Sequence, residues 1–283
     1  AGGAYDLMRK RISTKIFRAI VVALIWVVIF FPFYWILISS FKTEREMLSA
    51  NVTLIPYTFT LSHYYRILFQ SDYARYLFNS AIVASITTVI GMVLAIISAY
   101  SLSDFNYRTK RFSETLILYA SMFPGVLLLV PVYVLVNKLR LLNSLWSLII
   151  VYVMLYVPFG IFTLRTFFES IPIELREAAW IDGASKMDVL YRVILPLSTP
   201  GLVTVGSWTF ILSWSEYLFG MLLINDPSKK TVVVGLADWM GEYYLDWGAL
   251  SAGSVLVVLP VIVLFAFMGK GFIKGLTAGA VKG

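Results

Sequence analysis

Six long stretches of this chain carry almost no charge, and that spacing limits the fold more than any other feature. Charge-free runs lie between Arg18 and Lys42, Arg75 and Asp104, Glu114 and Lys138, Arg140 and Arg165, and Asp246 and Lys270. A sixth, between Arg192 and Asp226, is interrupted only by Glu216, and Pro196 and Pro200 place its helical start near Thr199. A bilayer core needs about 20 predominantly apolar residues per helix, so each run is long enough to cross one. The expected spans are 19–41, 76–103, 115–137, 141–164, 199–224 and 247–269, forming one transmembrane domain over 1–283. Composition agrees: 59% of the residues are hydrophobic and 14% charged, with a mean hydropathy of +0.82. A soluble domain carries about a quarter charged residues. The expected fold class is therefore an all-α integral membrane protein with six transmembrane helices.

Six spans put both termini on one side, and Lys and Arg choose the side. The N-terminal segment (Arg9, Lys10, Arg11, Lys15, Arg18), the loops at Arg108–Arg111 and Arg165–Arg192, and the tail (Lys270, Lys274, Lys282) hold 15 of the 23 basic residues. The positive-inside rule makes that side cytoplasmic. The net charge of +7 is thus read as an orientation signal, with the lipid bilayer as partner and no nucleic acid. The first run is too long for a signal-peptide core and lacks a small-residue cleavage site, so it is expected to remain as a helix. Tyr34, Trp35, Trp146 and Trp247 sit where an outer aromatic belt is expected.

Several function classes lose their chemistry at this point. With no cysteine and the single histidine His63, the chain has no metal set, and His63 reads as a satisfied or solvated loop residue. GKGFIKG lacks the spacing of a phosphate-binding loop, and no Ser/His or paired-carboxylate constellation suggests catalysis. The chain is read as a non-enzyme that binds no cofactor of its own. Glu216 is the one ionisable residue inside a span, too little for an ion-coupling ladder. It reads either as a pathway residue or as a local pair near the outer interface. Outside, the loop from Asp226 to Asp246 combines Trp239, Tyr243 and Tyr244 with Asp238, Glu242 and Asp246. That mixture suits a protein or sugar partner, or an interfacial belt with solvated acids.

The segment 173–196, IELREAAWIDGASKMDVLYRVILP, is too polar for lipid and falls on the cytoplasmic side. Pro172 suits a first helical turn, Glu174 and Glu177 complement a positive helix N-terminus, and Gly183 suits a C-terminal stop. Ser185, with Asp188 three residues on, caps a second helix. Its expected apolar stripe is Met187, Leu190, Tyr191 and Ile194, and Pro196 is expected to end it. By pattern alone this is an amphipathic helix pair resting on the membrane face.

Its spacing carries more. Glu177-Ala178-Ala179, three residues, Gly183, nine residues, then Val193-Ile194-Leu195-Pro196 resembles the EAA loop, E-A-A-x3-G-x9-I-x-L-P, of permease subunits in binding-protein-dependent ABC importers. Val193 replaces the usual isoleucine. The likeness extends over most of the chain and is nearest the maltose-type carbohydrate branch, through NSAIVASITT at Asn79, MFPGVLLLVPVY at Met122, IDGAS at Ile181, LSWSEYLFG at Leu212, DWGALSAG at Asp246 and the ending GLTAGAVKG. Arg140 stands where that family usually has glycine, and WSEY stands for the common Trp-Asn-Glu-Phe.

The resemblance implies a type I, MetI-like importer permease in a bacterial or archaeal cytoplasmic membrane. It would pair with a second permease subunit as a heterodimer, dock an ATPase dimer that holds ATP and Mg, and receive carbohydrate from an extracytoplasmic solute-binding protein. Carried over by position, Glu177, Ala178, Ala179, Asp182, Gly183, Leu195 and Pro196 would form the coupling segment read by the ATPase. Trp214, Glu216 and Tyr217 would border the pathway, and Asp238, Trp239, Tyr243 and Asp246 would approach the binding protein. The tail Gly275–Gly283 resembles one that reaches into the ATPase dimer. The competing class is an ion-coupled secondary sugar carrier or channel, which the poverty of intramembrane charge disfavours.

Overall fold

A computed structural model of the chain describes residues 2–241 and 245–280, with side chains over 15–241 and 245–267. Helix follows helix: α1 (Gly2–Ser39), α2 (Glu44–Met47), α3 (Ser62–Phe69), α4 (Tyr73–Asp104), α5 (Lys110–Met122), α6 (Leu129–Lys138), α7 (Leu145–Glu169), α8 (Ile173–Ile181), α9 (Lys186–Val189), α10 (Leu195–Leu197), α11 (Thr199–Ser215), α12 (Leu218–Leu223), α13 (Val232–Ala237) and α14 (Trp247–Ala280). Among the described residues there is no strand, only an isolated antiparallel bridge between Met240 and Leu245. The fold is all-α.

Four helices among the described residues are long and apolar enough to cross a membrane unbroken: Lys15–Ser39 within α1, α4, α7 and Trp247–Phe267 within α14. Two further candidates are bent, which allows up to six. α5 meets Gly125–Lys138 at 94°, because Pro124 holds Phe123 in extended backbone and breaks the helix there. Lys186–Leu197 meets α11 at 80°. The run expected over 199–224 is also interrupted further on, where Glu216 is extended between α11 and α12. α7 starts at Leu145, later than the charge pattern suggests, because Arg140 and Asn143 adopt positive φ (56° and 57°) and Ser144 caps the helix by accepting from the Trp146 amide.

Contacts group the chain into two compact units, Ala1–Gln70 with Trp239–Leu256, and Ser71–Asp238 with Val257–Gly283. In the first, the side chains of α1 from Ile16 to Phe33 are exposed and apolar nearly all round, the composition of a helix whose solvent is lipid. His63 is buried on α3 and its Nε2 donates to the Lys42 carbonyl at 2.9 Å, so it is the satisfied histidine of the two sequence alternatives. The Gly248 backbone lies against the His63 ring so closely that a Cβ there would sit 2.1 Å from Cε1. Lys42 is also buried; its Nζ donates to the Thr53 carbonyl and lies 4.5 Å from the Trp35 ring centroid. Hydrogen bonds from Thr53 Oγ1 (2.6 Å) and the Tyr57 amide hold the Glu46 carboxyl below the usual range.

In the second unit α4 packs along α7 and α11 crosses both. Close approach needs a small residue at Gly160, where a Cβ would lie 3.1 Å from that of Ala95 and 3.0 Å from Val205. Val83, Leu148, Tyr152, Phe219 and Leu223 form one apolar core. Ala99, Leu102, Leu164 and Phe168 form another, and it runs on into Val189, Leu190 and Ile194. The charged segment and the spanning helices therefore share a core.

Candidate functional site

The segment 173–196 forms two helical pieces around a left-handed glycine. α8 ends in a Schellman motif: the Gly183 amide donates to the Trp180 carbonyl (3.0 Å) and the Ala184 amide to that of Ala179 (2.9 Å), with Gly183 at φ +84°. Ser185 then opens α9 with a capping box, its Oγ accepting from the Asp188 amide (3.2 Å) while Asp188 accepts from the Ser185 amide (3.1 Å). The Ser185 hydroxyl also donates to the Asp188 carboxylate, and that bond, then the one from the Ser185 amide, with Arg192 nearby, holds the Asp188 carboxyl below its ordinary value.

The second piece differs from the regular helix expected. Leu190–Ile194 is a π-turn, so the register shifts: Val189, Leu190 and Ile194 are buried while Met187 and Tyr191 are exposed. The helix also runs past Pro196 to Leu197, because Pro196 lies in the first turn of α10, where its missing N–H costs no internal bond. Pro172 caps α8 rather than lying in its first turn.

The segment has two sides. Toward the spans, Ala179, Ala184, Val193 and Leu195 pack on the core formed by the ends of α4 and α7. Arg176 is buried beneath α8, ion-paired to Asp104 and donating to the Phe168 carbonyl. Toward solvent stand Glu177, Ala178, Asp182 and Gly183, with Leu175, Trp180 and Ile181 around them. Pro196 is exposed as well. The outcome is a polar, small-residue edge with apolar neighbours on an element whose other face is fixed to the span ends.

Within the spans, Glu216 occupies the gap between α11 and α12. Its carboxylate accepts from the Tyr152 hydroxyl (2.7 Å), the Phe219 amide (2.9 Å) and the Gly220 amide (3.0 Å), which makes it both the cap of α12 and a tie to α7. Trp214 is buried, and its indole N–H donates to the Val257 carbonyl (3.0 Å), in the turn of α14 that Pro260 loosens. Tyr217 is half-buried and lines a cavity of about 360 Å³ with Asn225, Lys230 and Asp238. Lys230 Nζ bridges both Asp238 oxygens at 2.7 and 2.8 Å.

The outer residues separate between the two units. Asp238 belongs with Tyr217 and Lys230. Asp246 is buried in the first unit, ion-paired to Arg66 and accepting from the Ala249 amide (2.9 Å) at the start of α14. Trp239 lies 5.8 Å from the Arg66 guanidinium. Tyr243, and the side chains of the tail Gly275–Gly283, lie outside the described residues.

Residues 91–272 match the family model of the binding-protein-dependent transport system inner membrane component. The chain belongs to that family. The permease is 35% identical to the sulfoquinovosyl glycerol transport system permease protein SmoH of Agrobacterium fabrum, over 96% of this chain and 95% of that one. It is 32% identical to the trehalose/maltose transport system permease protein MalG of Thermococcus litoralis, over 98% and 100%. Its fold matches a chain of a bacterial ABC transporter involved in the import of the acidic polysaccharide alginate, with a TM-score of 0.83, 23% identity, and coverage of 93% and 98%.

Sequence reasoning missed two groups in this permease. In the sequence Arg176 and Asp104 are only a loop charge and a span-end charge, and the contact of α8 with the end of α4 pairs them. Tyr152 sits in an apolar run with nothing to distinguish it from a core aromatic until Glu216 reaches its hydroxyl.

Proposed function

We propose that this permease is one transmembrane half of an ABC importer that moves a di- or oligosaccharide, delivered by an extracytoplasmic binding protein, into the cytoplasm by ATP-driven alternating access. What carries the proposal is the two-sided segment 173–196, with its inner face in the core of the spans and Glu177, Ala178, Asp182 and Gly183 left open to a partner. That partner is an ATPase dimer, which holds ATP and Mg; Glu177 meets a basic group on it, and Ala178 allows close approach. Both termini and the segment lie in the cytoplasm, following the Lys/Arg distribution. A second, different permease subunit completes the pathway, which Tyr217 and the gap at Glu216 border on this side. Trp239 and Asp238 stand nearest the binding protein. Carbohydrate as the substrate class is supported by relatives named for sulfoquinovosyl glycerol and for trehalose/maltose.

The test is uptake into proteoliposomes holding both permeases and the ATPase, with the cognate binding protein outside and maltose, trehalose and a uronate disaccharide as probes. Accumulation of a probe that requires enclosed ATP supports the proposal. Accumulation that follows an imposed ion gradient without ATP identifies a secondary carrier instead.

A further inference from the structure

The contacts beneath α8 assign a mechanical role to a residue outside the exposed coupling edge. Arg176 is 4% exposed, and one guanidinium nitrogen pairs with Asp104 while another donates to the Phe168 carbonyl. Asp104 is the last residue of α4, and Phe168 lies in the last turn of α7. A carboxylate at the negative end of a helix is unfavourable by itself, as are carbonyls left without donors. The guanidinium answers both at once, which its planar fork allows and a lysine ammonium does not. Around it, the Tyr100 hydroxyl donates to the Lys186 carbonyl (2.8 Å), and Lys186 Nζ lies 4.3 Å from the Phe105 ring. The segment is thus held to α4 on both sides of Gly183, with α7 attached through the same arginine.

We propose that Arg176 is the joint that makes α8, α4 and α7 move as one body, so that displacement of the coupling edge by the ATPase becomes displacement of two spans. Arg176 is a positioning residue, acting through Asp104 and Phe168 rather than touching the ATPase or the sugar. The idea rests on the coupling role given above to the segment. Removing one member of a buried ion pair strands the other's charge. The joint therefore loosens as soon as Asp104 is neutralised, although the exposed edge is unchanged.

This chain has no cysteine, so with partner subunits freed of reactive thiols two introduced cysteines are spin-labelled specifically. Labels at Ile173 on α8, outside the proposed docking edge, and Ile97 on α4, both exposed, report the distance across the joint. The complete importer in nanodiscs is measured without nucleotide and after trapping with Mg-ATP and vanadate. The wild-type pair is expected to give one narrow distance, the same in both states. Asp104→Asn is expected to give a broadened distance with a second, shifted population on trapping. Arg176→Met combined with Asp104→Leu replaces the pair by apolar groups, removes the stranded charge, and is expected to assemble yet still show the second population. A wild-type distance that changes between states, or double-variant distributions that coincide with wild type, would overturn the joint. Glu177→Lys serves as the separate check on docking: normal ATP-driven uptake there removes the coupling role while the distances still decide whether α8 and α4 are joined.

Discussion

Glu216 offers the most quantitative test of how the broken fifth span is held. Truncation to Ala removes the acceptor that caps α12 and leaves the Tyr152 hydroxyl, on a fully buried ring, without its partner. Loss of a helix cap costs about 1 kcal/mol, and a stranded buried hydroxyl about 1–3 kcal/mol. The expected loss for Glu216→Ala is therefore about 2–4 kcal/mol. Tyr152→Phe removes the hydroxyl itself and leaves both backbone donors satisfied, so about 1 kcal/mol is expected. The double variant should be less damaged than the sum, with a coupling energy of about 0.6 kcal/mol and at most about 1.7 kcal/mol, the average and maximum for interhelical hydrogen bonds in a membrane protein. The assay is a double-mutant cycle on the purified complex by denaturant titration, with uptake measured in parallel. Additive single effects would refute the tie to Tyr152, and a Glu216→Ala protein as stable as wild type would refute the cap of α12 as well. A stability loss with uptake per assembled complex unchanged would remove Glu216 from the pathway while leaving the cap intact.

Backbone geometry predicts opposite signs at two positions. Arg140 at φ 56° bears the left-handed penalty of about 1–2 kcal/mol, part of which glycine returns as entropy, so Arg140→Gly should raise stability by about 0.5–1 kcal/mol in a thermal melt. Gly183→Ala, with open space around the added methyl but φ +84°, should cost about 1 kcal/mol and slow amide exchange less at Ala184, the residue that closes the Schellman motif. The Asp188 carboxyl titrates below its ordinary value in the folded chain, so the cap's contribution is complete above that value and is lost as pH falls through the lowered one. Exchange protection of the α9 amides should therefore decline only below about pH 4, and Asp188→Asn should flatten that dependence.

Long apolar helices were legible in the sequence because a bilayer excludes charge over a fixed length, and four of the runs contain an unbroken helix long enough to cross one. Their interruptions were only partly so. Pro124 announces a kink, but a right-angled break depends on where α5 and α6 pack. The gap at Glu216 is made by side-chain bonds to residues four positions on and 64 positions back. The two-piece shape around Gly183 was readable because caps are local chemistry, with partners within a turn. The π-turn at Leu190–Ile194 was not, and it reassigned Met187 and Tyr191 to the surface. Asp246 was legible as an acid in an aromatic loop, whereas its burial follows from Arg66, 180 residues away. Arg140 is the converse: its departure from the glycine of the resembled family acquires a physical meaning once its φ is known.

If the exposed edge of 173–196 passes the ATPase cycle to the spans, Glu177→Lys must break that transmission. Glu177 is exposed and takes no part in the Arg176 pair or the buried core. The importer is reconstituted with enclosed ATP, and ATP hydrolysis and accumulation of the sugar retained by the binding protein are measured on the same vesicles. The expected result is an inserted permease whose complex still hydrolyses ATP while uptake falls to background. Uptake and hydrolysis in the wild-type ratio would contradict it.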